Sequence, residues 1–453
     1  MLSLWKSAQS AIQSNNTLGL QPLVGSIVRG RYWLLGMTVV LGALLFPSLD
    51  KFSPYNQASL MWVSGLLLAM VIIGYFSRSW RLTWIPIVAT SLGCTIVFSL
   101  SEVFGWNGNL LLSHIHWFIL SFVTIYCVHI GCAYQHQLAI DESKKGALAR
   151  GTVQAIGSSL ITSLCCLVLL VPLAASTTPT LLQLSIVSIF SILIAFTISF
   201  YLTPAILSFG KKPISAMNRY KKDWVDVSLE KMADSVIAKP KRWMIGYSVF
   251  SLLVSAGIVL LEGVELERIT RSILDSHLGI LGGITLVLIV WQVVFSSFVL
   301  SVFCLLSVCM PIAVTLGAMG WSDFVLSTPL LLFATLLLAS ALDNSIQFLL
   351  RFKDTFKQNN NYQRSVHSAI IHVGRPLVFT TTILSSAYSV FTLSIDQHEL
   401  VFGYLSGIFL SWALLASLIW LPVMVLLVRP SLTLRRVHSK ENRVDGDQLS
   451  GGK

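Results

Sequence analysis

Residues 327–351 read STPLLLFATLLLASALDNSIQFLLR, an apolar run that carries a single acid, Asp343, and meets no basic residue until Arg351. Its length suits the roughly 20 residues an α-helix needs to cross about 30 Å of hydrocarbon. Of the chain's 20 acidic residues, Asp343 alone falls within such a run, and the others lie in loops or tails. A carboxylate at membrane depth costs about 2.5–3.5 kcal/mol even on the lenient insertion scale. Such a residue therefore has a job or a partner. It is either the titrating group of an ion-coupled membrane machine or a protonated acid that hydrogen-bonds two helices together.

The surrounding chain has the same character. Hydrophobic residues make up 55% and charged residues 11% of its 453 positions, and the mean hydropathy is +0.76. Soluble chains carry about 25% charged residues. Apolar stretches near 32–48, 59–77, 82–101, 109–132, 152–174 and 181–208 predict six spans. Six more are predicted near 242–261, 275–294, 297–318, 328–350, 372–393 and 400–428. The expected fold is thus an all-α polytopic membrane protein with about 12 transmembrane helices. The eighth and ninth spans are divided only by Ser296 and Ser297.

Charge sets the orientation. With the N-terminus inside, 28 of the 31 Lys and Arg residues fall in inner loops and tails, and Lys51, Arg268 and Arg271 alone fall outside. This bias predicts both termini on the cytoplasmic side. The net charge of +11 is then a topology signal toward a lipid bilayer with anionic inner lipid, and no nucleic-acid partner is expected. Residues 1–30 carry no cleavable signal pattern and read as a short amphipathic segment on the inner surface. All seven cysteines fall within spans, without CxxC or Cys/His spacing. They read as small packing residues, with no metal site and no cofactor.

The chain also repeats itself. A shift of 218 residues places Pro204 on Pro422, His129 on Gln347 and Ile125 on Asp343, with Gly157 one residue off Gly374. Residues 31–210 and 242–430 are therefore two six-helix units in the same orientation, a parallel repeat of the kind found in transporters. Between them, 211–241 forms a cytoplasmic linker. Within it, Trp224, Val227, Met232 and Ile237 lie near one helix face, which suits an interfacial helix on the inner leaflet. The tail 431–453 is polar and reads as disordered.

MPIAVTLGAMGW (310–321), ALDNSIQFLLRF (341–352) and SAIIHVGRPLVFTTT (368–382), in that order, resemble the resistance–nodulation–division (RND) superfamily. The likeness is to its MMPL and predicted-exporter branches, relatives of the sterol-sensing proteins. RSWR (78–81), IYCVH (125–129) and LTPAI (202–206) match more weakly in the first half. The chain departs from the family in two ways. The loops at 49–58 and 262–274 are too short to fold as the large extracytoplasmic porter domains, which leaves a compact membrane core. In addition, Ile125 stands where the family's fourth span carries an acid, and Asn344 replaces the usual Tyr beside Asp343.

The resemblance implies a site. Asp343 would be the proton carrier, with Thr380, Thr381 and Thr382 as hydroxyl partners. Tyr126 and His129 would face it from the opposite half, bonding the acid or relaying its proton. Burial disfavours a carboxyl's charged form, which lets such a group titrate in the working pH range. Each residue has a plainer alternative. The threonines can bond their own i−4 carbonyls, and His129 can simply pack. Asn344, Ser345 and Gln347 can serve as packing groups between helices, at about 0.6 kcal/mol each.

The expected function is the core of a proton-coupled RND-type transporter in a bacterial inner membrane. It would export a lipid or other hydrophobic substrate with separate periplasmic or outer-membrane partner proteins. Homo-oligomers are also in keeping with the family. The alternative is a non-transporting lipid-sensing or assembly subunit resembling a sterol-sensing domain. The chain has no phosphate loop, nucleophile elbow or zincin pair, so it is not expected to be an enzyme.

Overall fold

The computed structural model describes residues 21–32, 36, 57–77, 80–104, 109–140, 143–174, 179–209, 223–260, 277–322, 324 and 328–430. Among them all regular structure is helical. The first half contributes α1 (Gln21–Arg29), α2 (Gln57–Ser77), α3 (Trp80–Val103), α4 (Asn109–Ile140), α5 (Lys144–Ala174) and α6 (Pro179–Ser208). Then come α7 (Trp224–Ala238), α8 (Pro240–Ser255), α9 (His277–Phe295) and α10 (Phe298–Trp321). The chain closes with α11 (Thr328–Asn359), α12 (Tyr362–Ser389), α13 (Gln397–Leu415) and α14 (Leu421–Val428), with a π-helical turn at Ala416–Trp420 joining the last two. Eight segments among the described residues are long and apolar enough to cross a membrane, with shorter apolar helices at Val63–Tyr75 and Thr285–Phe295. Each expected span from 59–77 onward coincides with a described helix. The loop at 262–274 and the tail lie outside the described residues, as do most of the expected first span at 32–48, of the N-terminal segment and of the loop at 49–58.

Helices are what a membrane demands, because lipid offers no partner to an unsatisfied backbone group. The packing places α4 and α11 centrally. The apolar window of α4 is 89% buried, against 17% for Pro240–Leu260 at the edge. Contacts are reciprocal between the halves. α4 packs on α5 and α6, as α11 packs on α12 and α13. α11 also touches α5 while α4 touches α12, and α9 lies on α5 while α2 lies on α12. Small residues permit the closest approaches: a Cβ on Gly317 would strike the backbone at Val254 and Ser255, so α8 rests directly on α10.

The division between the eighth and ninth spans falls at the two serines. Ser296 has φ 54°, in the left-handed region, and the extended Ser297 begins α10. Lys353, three residues beyond the span of α11, donates to Val294 O at 2.7 Å. It thereby satisfies a carbonyl at the C-terminal end of α9. Burial, with the nearby Lys357, pushes the Lys353 ammonium down to about 8.

The linker helix α7 packs by a different face from the one expected on the leaflet. The face that packs is Val225, Leu229, Ala233 and Val236, whereas Trp224 and Val227 are exposed. The reason lies on α12, which α7 contacts along its length. Gly374 leaves room there for Leu229, since a Cβ on that glycine would come within 2.8 Å of it. The Arg375 guanidinium donates to Asp226 at 2.9 Å and Asp223 at 3.2 Å, fixing the start of α7.

Candidate functional site

Asp343 lies midway along α11 and is 1% exposed. Its Oδ2 is 2.8 Å from His129 Nε2 of α4. Its Oδ1 accepts from Thr162 Oγ1 of α5 at 3.1 Å and from Gln347 Nε2, one turn along α11, at 3.2 Å. Three helices from both halves thus meet on one carboxyl group. The His129–Asp343 contact holds one shared proton in either arrangement, as an imidazole N–H donating to carboxylate or a carboxyl O–H donating to imidazole. Its three partners supply the hydrogen bonds that a buried polar group requires.

The residues expected around the acid divide sharply. His129 and Gln347 reach it, and Gln347 therefore does more than pack helices. Tyr126 does not: its hydroxyl bonds Ser163 Oγ at 2.6 Å, and its ring packs against Phe122, Phe196 and Phe200. The threonines of α12 do not reach it either. Thr380 donates to Pro376 O and Leu377 O, and Thr382 to Val378 O, all within their own helix. Thr381 Oγ1 is buried without a hydrogen-bond partner. Ser345 keeps its packing role, joining Ser307 of α10 at 2.8 Å and Ser417 of the π-helical turn at 3.3 Å.

Sequence reasoning missed Thr162, although the 218-residue shift contains it. That shift places Thr162 on Thr380 and Ser163 on Thr381. Of the two equivalent threonines, the one in the half without the acid makes the contact, because α11 packs on α5 of the other half. Thr380 occupies the same position relative to α4, where Ile125 offers nothing to bond. The shift also pairs Tyr126 with Asn344. Tyr126 and Ser163 are hydrogen-bonded, whereas both side-chain amide atoms of Asn344 and the Thr381 hydroxyl are buried and unpartnered. Asn lacks the reach of a tyrosine ring.

The model of the MMPL family matches residues 42–242. This segment is similar to that family over somewhat less than half of the chain. The match falls on the first half, where the motifs were the weaker ones. No curated protein matches the sequence. Among solved structures, SecDF from Thermus thermophilus, a translocon-associated membrane protein, is similar with a TM-score of 0.66 and 11% identity. The likeness covers 82% of this chain and 62% of that one. SecDF in its super-membrane-facing form gives a TM-score of 0.62 at 11% identity, over 83% of this chain and 62% of that chain. The chain thus spans less than two thirds of SecDF, and at this identity the likeness is one of fold alone.

Proposed function

We propose that the protein is the membrane core of a proton-coupled RND-type transporter in which Asp343, paired with His129, takes up and releases the driving proton. The observation that carries this reading is the meeting of α4, α5 and α11 on one buried carboxyl group. A change of charge there alters the contacts between the two six-helix units, and that is what a rocking mechanism needs. One proton crossing 100 mV supplies about 2.3 kcal/mol toward such a change. The substrate is a lipid or another hydrophobic molecule, moved with separate extracytoplasmic partners. An apolar crevice between α2, α3, α4 and α12, lined by Ile73, Leu82, Pro86, Cys127, Phe379 and Ile383, supports lateral access from the bilayer. The proposed orientation puts both termini and the basic loops on the cytoplasmic side.

The test is proton uptake into liposomes of native lipid containing the purified protein, under an imposed membrane potential, with an entrapped pH dye. Asp343→Asn abolishes uptake on this reading, and uptake equal to wild type refutes it. A lipid-sensing or assembly role draws on Ile125, which leaves the family's second acid position without a titrating group. Capture in mild detergent of an enzyme whose activity depends on this chain favours that role over transport.

A further inference from the structure

We infer that His136 and His372, with Arg351 beside them, form the port through which Asp343 exchanges its proton with water at the basic end of the helix bundle. This inference rests on the proton-coupled reading of Asp343 and supplies its route. His136 follows His129 on α4 by seven residues, two helical turns, so the two share a face about 10 Å apart. On α11, Asp343, Gln347 and Arg351 recur at four-residue spacing and make a second polar column along the same seam. Gln347 is already bonded to the acid. At the foot of these columns the His136 and His372 rings meet edge to face, with centroids 5.1 Å apart at 84°. His372 is exposed and His136 half-buried, so the pair opens to the surface of the bundle.

The opposite direction is closed. There the Ser121 hydroxyl is bonded to that of Tyr388. Trp117 packs on Tyr388 and Phe391, and Phe402 on the same two rings. Each of these five side chains is at most 3% exposed. His116 also lies on that side, but it is 5% exposed and packs against Phe98.

Charged neighbours suit the imidazoles to passing a proton on. Burial first, and the charge of Arg351 second, weaken the hold of both rings on a proton, and each ring faces the other. Arg375, also on α12, is held by Asp223 and Asp226 of α7. Like charges around the pair oppose double protonation. The step is a simple relay. A hydronium gives its proton to an imidazole nitrogen. That proton then passes through water beside Gln347 to the His129–Asp343 pair, and the port returns to neutral.

The experiment is a pH jump on the full chain in detergent, following the carboxylic C=O band by time-resolved infrared. The wild type is expected to show a protonation signal that Asp343→Asn removes. The double variant His136→Gln, His372→Gln is expected to keep the amplitude but slow its appearance about tenfold or more, while Tyr388→Phe leaves the rate unchanged. The single variants His136→Gln and His372→Gln serve if the double variant fails to fold. A rate within twofold of wild type in the histidine variants overturns the port and leaves the coupling reading standing. A wild type with no Asp343-dependent signal overturns both. Slowing by Tyr388→Phe in place of the histidine variants puts the port at the other end and overturns this one.

Discussion

Thr162 and Thr380 are equivalents at 218-residue spacing, yet only Thr162 touches the acid, and this makes Thr162→Val and Thr380→Val a matched pair of nearly equal size change. A hydrogen bond to a charged group contributes about 1.5–3 kcal/mol. Thr162 has one hydroxyl proton to share between Asp343 Oδ1 at 3.1 Å and Ser158 O at 3.3 Å. That division puts the contribution at the lower end, about 1.5 kcal/mol, or roughly tenfold in an equilibrium. The bond stabilises the carboxylate, so its loss increases the protonated fraction of Asp343. Thr380 bonds only carbonyls of its own helix at 3.0 and 3.1 Å. A back-bond of this kind adds little to helix stability, and its removal changes the acid by less than about twofold. A hydrophobic carbodiimide reacts with protonated carboxyls inside membranes, and mass spectrometry of the Asp343 peptide reads its rate. At alkaline pH, Thr162→Val is expected to label about tenfold faster than wild type, and Thr380→Val at the wild-type rate. Equal acceleration in both variants, or a larger effect from Thr380→Val, refutes the assignment of Thr162 as the partner of Asp343.

Arg375→Met removes both donors that fix the start of α7, at 2.9 and 3.2 Å. The two partly exposed contacts together hold α7 by about 2 kcal/mol, so amide exchange across Trp224–Ala238 should quicken roughly thirtyfold, and unchanged exchange counts against the clamp. Lys353 has a folded value of about 8 against an ordinary 10.5, so between those two pH values the unfolded chain binds the extra proton and stability rises with pH. The rise amounts to about 3 kcal/mol, is absent below pH 8, and should vanish in Lys353→Met; identical pH–melting curves for the two proteins sink this account. Asn344→Leu removes two buried amide atoms that have no partner at nearly constant volume. The melting temperature should rise, by the equivalent of about 1–2 kcal/mol, and a fall of that size means that the amide has a partner.

Much of this protein could be read from residue order. The apolar runs fixed where helices form, because a bilayer of one thickness demands spans of one length. The Ser296 and Ser297 break marked a turn because a charged-free apolar run of that length cannot cross only once. Asp343 stood out because a carboxylate in hydrocarbon is costly wherever its helix packs, and the 218-residue shift showed that its counterpart is Ile125. His129 was expected beside the acid and reaches it, whereas Gln347, expected only to pack between helices, reaches it as well.

Contacts between helices could not be read in this way. A repeat states which residues are equivalent, but not that α11 lies against α5 of the other half, so Thr162 was invisible and Thr380 to Thr382 were favoured. Tyr126 looked like a helper from its position next to Ile125, but one residue along a helix turns a side chain by about 100°, toward Ser163. α7 offered two apolar faces, and the space beside Gly374 selected the one that packs. His136 and His372 meet across 236 positions of sequence separation, which no local pattern records. Local free energies of transfer settled the spans and the exceptional acid from sequence alone. The acid's partners, the docked face of α7 and the polar seam below the site depend on which helices come to lie side by side, and only the packed bundle decides that.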